Sequence, residues 1–137
     1  MKKSELETEV YNLLKNSNLR VFKEDTRDPN YRGEYIEILP LEFGEERLFN
    51  SSIVNVNIHI PDVQGIKNSR RLDSAYNEIR PIFRRDKDAT GQYYTNYSGF
   101  QFSIVSSKDY KEDNGTHFRN LRVKVCLLYT SPSPRDA

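Results

Sequence analysis

The segment 53–62 constrains the fold most, because apolar and polar residues alternate along its sequence, IVNVNIHIPD. The apolar positions, on one side of an extended chain, are Val54, Val56, Ile58 and Ile60. The polar positions, on the other side, are Asn55, Asn57 and His59. A period of two is typical of a strand with one face in the core, and Pro61 should end it because proline donates no backbone hydrogen bond. The sequence therefore predicts a strand over 51–60 whose polar side is solvent-exposed or covered by another subunit. On this interpretation Ile58→Asp should unfold the domain, whereas His59→Ala should leave the fold intact.

Two amphipathic helices are predicted on either side of this strand. The first, over 4–15, begins with Ser4 and Glu7 at capping-box spacing. Its apolar stripe consists of Leu6, Val10, Leu13 and Leu14. The second begins at Asn68 or Ser69, either of which is a suitable N-cap, and should end near Arg80 because Pro81 interrupts a helix. Its stripe consists of Leu72, Ala75, Tyr76, Ile79 and Phe83.

Three further strands are predicted, one over 34–41, one that begins at residue 100 and one that ends at residue 125. The last two should form a closing hairpin that reverses at Asn114-Gly115. A short strand is also indicated over 19–23. The segments 24–33, 42–50 and 84–98 are predicted to be polar loops. Together the elements predict an α+β fold, an antiparallel sheet of about four strands with two amphipathic helices packed on one face.

The length of 137 residues fits one domain, which we expect to occupy 1–125. Residues 126–137 resemble the translation of an adapter used in sequencing libraries, and we expect a non-native or disordered tail; a genuine flexible tail is the alternative. The tail includes Cys126, the single cysteine of the chain, so neither a disulfide nor a thiolate metal site is expected.

Charge and hydropathy exclude several classes of partner. The formal net charge is +1 and the charged residues of both signs are interspersed, so specific nucleic-acid binding is not expected. No apolar stretch is long enough for a membrane span, and the N-terminal sequence MKKSELE lacks a signal-peptide core. We therefore expect a cytosolic chain that does not bind membranes.

Residues suited to catalysis or metal binding are scattered. The two histidines, His59 and His117, stand alone in different predicted elements, so a catalytic or ligand role has little support. Acidic clusters in predicted loops, which we interpret as solvated charge, are Glu42, Glu45 and Glu46, and Asp109, Glu112 and Asp113. No phosphate loop or nucleophile motif occurs. The sequence indicates a protein that is not an enzyme and has no cofactor or metal.

Arginine and tyrosine residues around the second helix are candidates for a protein interface, because both types are enriched where interfaces carry binding energy. They are Arg70, Arg71, Arg84, Arg85, Tyr93, Tyr94 and Tyr97. The alternative is a solvated helix face beside a loop whose tyrosines pack locally.

The element order resembles that of tailed-phage tail terminator or tail completion proteins. The residues that carry the resemblance are the strand VNVNIHIPD leading into a helix, and the closing pair FQFSI and FRNLRVKV. The resemblance implies a homo-oligomeric ring that caps the tail tube and presents a head-joining surface. The partners would be tail-tube and head-connector proteins, and the location a virion assembled in the bacterial cytoplasm.

Ring and tube contacts are expected in the loops 24–33 and 84–98. Two alternatives remain at this point, a head-tail connector or neck protein of the same virion and a small phage-encoded nuclease.

Overall fold

The computed structural model describes residues 3–41, 51–112 and 114–128. The elements in chain order are α1 (Lys3–Leu14), β1 (Arg20–Lys23), β2 (Tyr35–Pro40), β3 (Ser51–Pro61), α2 (Ser69–Ile79), a 3-10 helix (Arg80–Phe83), β4 (Asp86–Lys87), β5 (Tyr93–Tyr97), β6 (Phe100–Lys111) and β7 (Thr116–Leu127). The expected connection at 42–50 with its three glutamates, Asp113, and residues 129–137 lie outside the described residues.

The strands form a seven-stranded mixed sheet in the order β1-β2-β3-β7-β6-β5-β4. Pairing is parallel between β1 and β2 and antiparallel elsewhere. The expectation of an antiparallel sheet of about four strands with two packed helices is therefore wrong. The helices are short, with 12 residues in α1 and 11 in α2, and strands dominate the fold.

The additional strands come from segments whose sequences are polar or brief. The segment 84–98, expected to be a loop, contains β4 and β5, and Thr95 of β5 is fully buried. Its hydroxyl donates to the carbonyl oxygen of Ile82 at 2.7 Å and accepts from the amide of Arg85 at 3.1 Å. A buried polar residue is tolerated where its hydrogen bonds are satisfied, and hydrophobic periodicity does not detect such a strand.

The long hairpin of β6 and β7 lies beside β3. Strand β6 ends at Lys111 and β7 starts at Thr116, on either side of the Asn114-Gly115 pair that was predicted for the reversal. A bulge between Ile104 and Ser106 shifts the register of β6 against β7. At its other end β7 continues to Leu127, pairing Cys126 with Ser51 of β3.

One face of the sheet supports both helices through a single core cluster. The four apolar residues of β3 that the alternation places on one side are at most 1% exposed. They pack with buried residues of both helices, which are Leu6, Val10, Leu13, Leu14, Leu72, Ala75 and Ile79.

A local hydrogen bond caps the start of α2, whereas the predicted capping residue of α1 makes a tertiary contact. The side chain of Asn68 accepts a hydrogen bond from the amide of Arg71, the geometry of an N-cap. Glu7 does not act in the expected capping box, because its carboxylate accepts from the amide of Glu24 at 2.8 Å, just after β1. Within the described residues, no helix is long and apolar enough to cross a membrane.

Candidate functional site

A groove lies between the end of α2, the 3-10 helix and the β4–β5 turn, with a volume of about 230 Å³. The residues that line it are Tyr76, Arg80, Arg84, Gly91, Gln92, Tyr93 and Ile104. We call this surface the arginine groove, because its charged lining consists of two arginines.

Tyrosine rings support both of these arginines. The guanidinium carbon of Arg84 lies 3.8 Å from the ring centroid of Tyr93, and that of Arg80 lies 5.9 Å from the centroid of Tyr76. The ammonium of Lys87 is also 5.5 Å from the Tyr93 centroid. Among the described residues, neither Arg80 nor Arg84 forms an ion pair. Within 3–41, 51–112 and 114–128 the groove thus presents positive charge that no carboxylate neutralises.

The turn between β4 and β5 forms one wall of the groove and is held by Asp88. Its Oδ1 atom accepts hydrogen bonds from the hydroxyl and amide of Thr90, at 2.6 and 2.8 Å, and from the amide of Gln92 at 3.0 Å. These bonds, the hydroxyl of Thr90 foremost, lower the pKa of the Asp88 carboxyl. Gly91 has a φ of 90°, a conformation that favours glycine.

Of the predicted interface residues, the structure brings Arg84 and Tyr93 together in the arginine groove. Arg85 and Tyr97 line a separate cavity of about 530 Å³ beside the end of α1. Tyr94 is half-buried and pairs with Asp86 across β4 and β5.

Arg70 and Arg71 lie in the first turn of α2, away from the groove. Arg70 is exposed. Arg71 forms ion pairs with Glu34 at 2.8 Å and Glu78 at 3.2 Å, and hydrogen bonding to Glu34 raises its pKa above the ordinary value for arginine. The predicted set is therefore not one surface.

The groove also contains residues that were not predicted, Tyr76, Arg80 and Gln92. Tyr76 was assigned to the core stripe of the helix, and it does lie at the edge of the core cluster. The spacing of Arg80 and Arg84 on either side of Pro81 was the available signal in the sequence.

A second surface projects at the end of the sheet where β3 leads into α2. Val63 and Ile66 pair in a tight turn, exchanging two backbone hydrogen bonds of 2.9 Å. Gln64 and Gly65 between them both have positive φ angles. The side chains of Val63 and Ile66 are 55% and 69% exposed. We call residues 63–66 the apolar turn.

The apolar turn is anchored on both sides to the β6–β7 hairpin. On one side the amide of Asp62 donates to the carbonyl of Gly115 at 2.9 Å, and the Asp62 carboxylate lies 2.7 Å from Nδ1 of His117. On the other side Lys67 forms a 2.7 Å ion pair with Asp109, which in turn pairs with Arg119 at 2.6 Å.

The Asp109 carboxyl group in this anchor has a strongly lowered pKa. Hydrogen bonding to Arg119, with a further contribution from Lys67, lowers the pKa of Asp109 to about 2. Arg119 also pairs with Asp73 of α2 at 2.9 Å. Asp109 is thus part of an ion-pair network, and not solvated loop charge as the sequence indicated.

The face of the sheet without helices carries a ladder of stacked rings. Directly opposed positions on four adjacent strands place the rings of Tyr35, His59, Phe118 and Tyr110 in one row. Successive ring centroids are 4.4, 5.0 and 5.3 Å apart, and the interplanar angles are 8°, 28° and 22°. We call these four residues the ring ladder.

The expectation that the polar side of β3 lies on the outside is wrong at two positions. His59 is 3% exposed and Asn57 is 7% exposed. Phe118 and Tyr35 cover the imidazole, and Asn120 donates to the amide oxygens of Asn57 at 2.7 Å and Asn55 at 3.1 Å. The covering residues come from strands distant in sequence.

Part of the loop 24–33 also packs against the ring ladder. The guanidinium carbon of Arg27 lies 5.0 Å from the Tyr35 centroid. The Tyr31 ring makes edge contacts with Phe22 and Tyr35, at centroid distances of 5.4 and 6.0 Å. This part of the loop covers one end of the ladder.

The surroundings of His59 indicate a structural role. Its Nδ1 donates to the Glu112 carboxylate at 2.9 Å, whereas its buried Nε2 has no hydrogen-bond partner among the described residues and lies 3.7 Å from Glu37. Burial lowers the pKa of His59, with Glu112 opposing the shift, and burial also raises the pKa values of Glu37 and Tyr35. Shifted pKa values occur at many catalytic sites, but His59 is only 3% exposed and both faces of its ring are covered.

The two histidines lie on adjacent strands but on opposite faces of the sheet, since His117 is opposite Ile60 of the core face. In the described ranges, 3–41, 51–112 and 114–128, no group of three or more histidine, cysteine, aspartate or glutamate residues could hold a metal ion.

No protein-family model matches the chain, and no curated protein matches it significantly. A solved structure is similar with a TM-score of 0.59, over 96% of this chain and 99% of the other, at 13% sequence identity. The name of that protein states no function. At this identity the similarity concerns the fold alone.

Proposed function

We propose that this protein is a virion assembly subunit of a tailed bacteriophage, of the tail terminator or tail completion type, and that it acts through protein contacts. On this proposal it forms a homo-oligomeric ring that binds the tail tube on one side and a head-connector protein on the other. The resemblance of the element order to that class suggests this role. The observation that favours a contact function is the apolar turn.

The apolar turn combines exposure with rigidity. Val63 and Ile66 are large apolar side chains, each more than half exposed, and a cluster of such residues on a small domain is typical of an interaction surface. The anchors at Asp62 and Lys67 hold the turn against the hairpin, so little conformational entropy would be lost when a partner covers it.

The position of the apolar turn, at the end of the sheet where β3 leads into α2, is compatible with a ring. Each subunit would use the apolar turn against a different surface of its neighbour, which is a heterologous contact and closes into a ring when the rotation per subunit permits. Burying what is exposed of the two side chains would contribute roughly 2–3 kcal/mol per contact.

The test is sedimentation velocity of the full-length chain over a wide concentration range, with the double variant Val63→Ser/Ile66→Ser beside it. We expect the wild type to form a discrete oligomer. The variant should associate roughly 30–150-fold more weakly, the factor that corresponds to the lost burial.

Val105→Ser is the matched control, because Val105 is 57% exposed but lies on β6, outside the turn. It should associate like the wild type. A wild type that stays monomeric at high concentration and does not bind tail-tube protein would refute the proposal. Binding to a connector protein without binding to tail-tube protein would favour the neck component instead.

A further inference from the structure

We infer that the arginine groove binds a carboxylate-bearing segment of a partner protein, a site distinct from the apolar turn. The inference rests on the proposed function only in taking the partner to be a protein. Its basis is that Arg80 and Arg84 line one groove beside tyrosine rings, in contrast to Arg71 and Arg119, which carboxylates of the chain neutralise.

Two other arginines near α2 are neutralised within the chain. Arg71 pairs with Glu34 and Glu78, and Arg119 pairs with Asp109 and Asp73. Each therefore has two carboxylates. Across the described residues, no carboxylate pairs with Arg80 or Arg84 in the groove.

The tyrosine rings beside these arginines favour contacts through the guanidinium edges. A ring against the flat face of a guanidinium leaves its N–H edge free to donate, and two parallel N–H groups match a carboxylate. The Arg84 guanidinium carbon lies 3.8 Å from the Tyr93 centroid, much closer than the 5.9 Å between Arg80 and Tyr76. Because the side chain is already ordered, less rotamer entropy is lost when it binds.

The charge of the surroundings favours isolated carboxylates over a nucleic-acid backbone. The groove has a volume of about 230 Å³, and Arg80, Arg84 and Tyr93 also line a more open neighbouring cavity of about 420 Å³. Asp86 and Asp88 are exposed in the β4–β5 segment beside the groove, and they oppose the contacts with many consecutive phosphates on which backbone binding depends.

The test measures fluorescence anisotropy of a short labelled peptide in which glutamate alternates with glycine, added to the full-length protein at low salt. We expect saturable binding that weakens as salt is added. Arg84→Gln and Arg80→Gln should each weaken binding about tenfold, as for the loss of a charge-assisted bidentate contact. Arg84→Lys should also weaken it, because lysine keeps the charge but not the planar fork.

Arg85→Gln is the matched control, because it removes the same charge from the adjacent position, which lines the other cavity. Its affinity should stay within about twofold of the wild type, the size of change expected for a charge outside the contact. Urea denaturation of each variant separates loss of binding from loss of folding. Arg84→Lys must weaken binding as Arg84→Gln does.

Four results would each overturn the inference. They are no binding at low salt, equal binding of a peptide with glutamine in place of glutamate, an equal loss in Arg85→Gln, or tighter binding of single-stranded DNA that disappears in Arg84→Gln. Absence of peptide binding in a protein that still oligomerises overturns this inference alone. A monomeric protein that binds the peptide through Arg80 and Arg84 refutes the ring but supports the groove as a carboxylate-binding site.

Discussion

Replacing His59 with alanine should destabilise the protein, because the imidazole is one of the two inner rings of the ring ladder. His59 is 3% exposed and stacks on Tyr35 and Phe118 at centroid distances of 4.4 and 5.0 Å. The alternating pattern alone predicts the opposite outcome, an intact fold in His59→Ala. The variant thus tests whether the second face of the sheet contributes to stability.

The expected magnitude follows from the cost of removing the stacked, buried ring and from a smaller opposing gain. Two stacked ring pairs contribute about 0.5–1.5 kcal/mol each beyond burial. Truncating a buried aromatic ring to alanine costs about 3–5 kcal/mol in total, and an imidazole is smaller and more polar than a phenyl ring. Removing Nε2, which has no partner among the described residues, returns some of the roughly 1–3 kcal/mol that an unsatisfied buried group costs. We therefore expect His59→Ala to reduce the free energy of unfolding by about 2–3 kcal/mol and Tm by about 8–12 °C.

Urea denaturation followed by circular dichroism measures this change, with His59→Phe as the matched variant. Phenylalanine keeps the stacking and removes the unpaired nitrogen, and the Glu112 side chain left without a partner is 31% exposed and can be hydrated. We expect His59→Phe to lie within about 1 kcal/mol of the wild type. A loss below about 0.5 kcal/mol in His59→Ala would show that the ladder is not stabilising. Equal losses in both variants would show that the hydrogen bond to Glu112 matters more than the stacking.

Three further predictions concern the core, the anchor and pH. Ile58→Asp should abolish the cooperative urea transition, because it buries a charge at a fully buried position, whereas Ile58→Val should cost only about 0.5–1.5 kcal/mol; a folded aspartate variant would contradict the assigned face. Asp109→Asn should cost about 1–2 kcal/mol in urea by weakening the pairs with Lys67 and Arg119. Because the folded pKa of Asp109 is about 2 and its ordinary value is 3.8, the wild type should lose this stability as pH falls through that window, and an identical acid profile in the variant would exclude the network as its cause. The folded pKa of His59 lies below the ordinary value of 6.5, so below that pH the unfolded state binds more protons and the stability of the wild type should decrease as the pH is lowered. His59→Phe should flatten this pH dependence. Parallel slopes would show that His59 does not titrate differently on folding.

The sequence predicted those elements whose formation depends on local patterns. The stripe of α2 and its Asn68 cap mark a helix within one element, and the alternation along β3 marks a strand with one buried face. In both cases the apolar period identifies the residues that face the core, so a single segment suffices for this part of the prediction.

The candidate contact surfaces were only partly predictable. Arg84 and Tyr93 were proposed as interface residues and meet at 3.8 Å. Arg71 carries the same charge and was proposed on the same grounds, but its carboxylate partner Glu34 lies on a distant segment. An ion pair over that separation in the chain leaves no local signal.

By itself, the sequence determined which face of β3 meets the helices, since four apolar residues at every second position can be buried on only one side. The tertiary structure alone decided the state of the other face. Whether His59 is exposed or stacked depends on the rings of Tyr35 and Phe118, which the sheet register places opposite it from two other strands. The number of strands was decided in the same way, because β1, β4 and β5 are too short or too polar to be stable alone and form by pairing with neighbours.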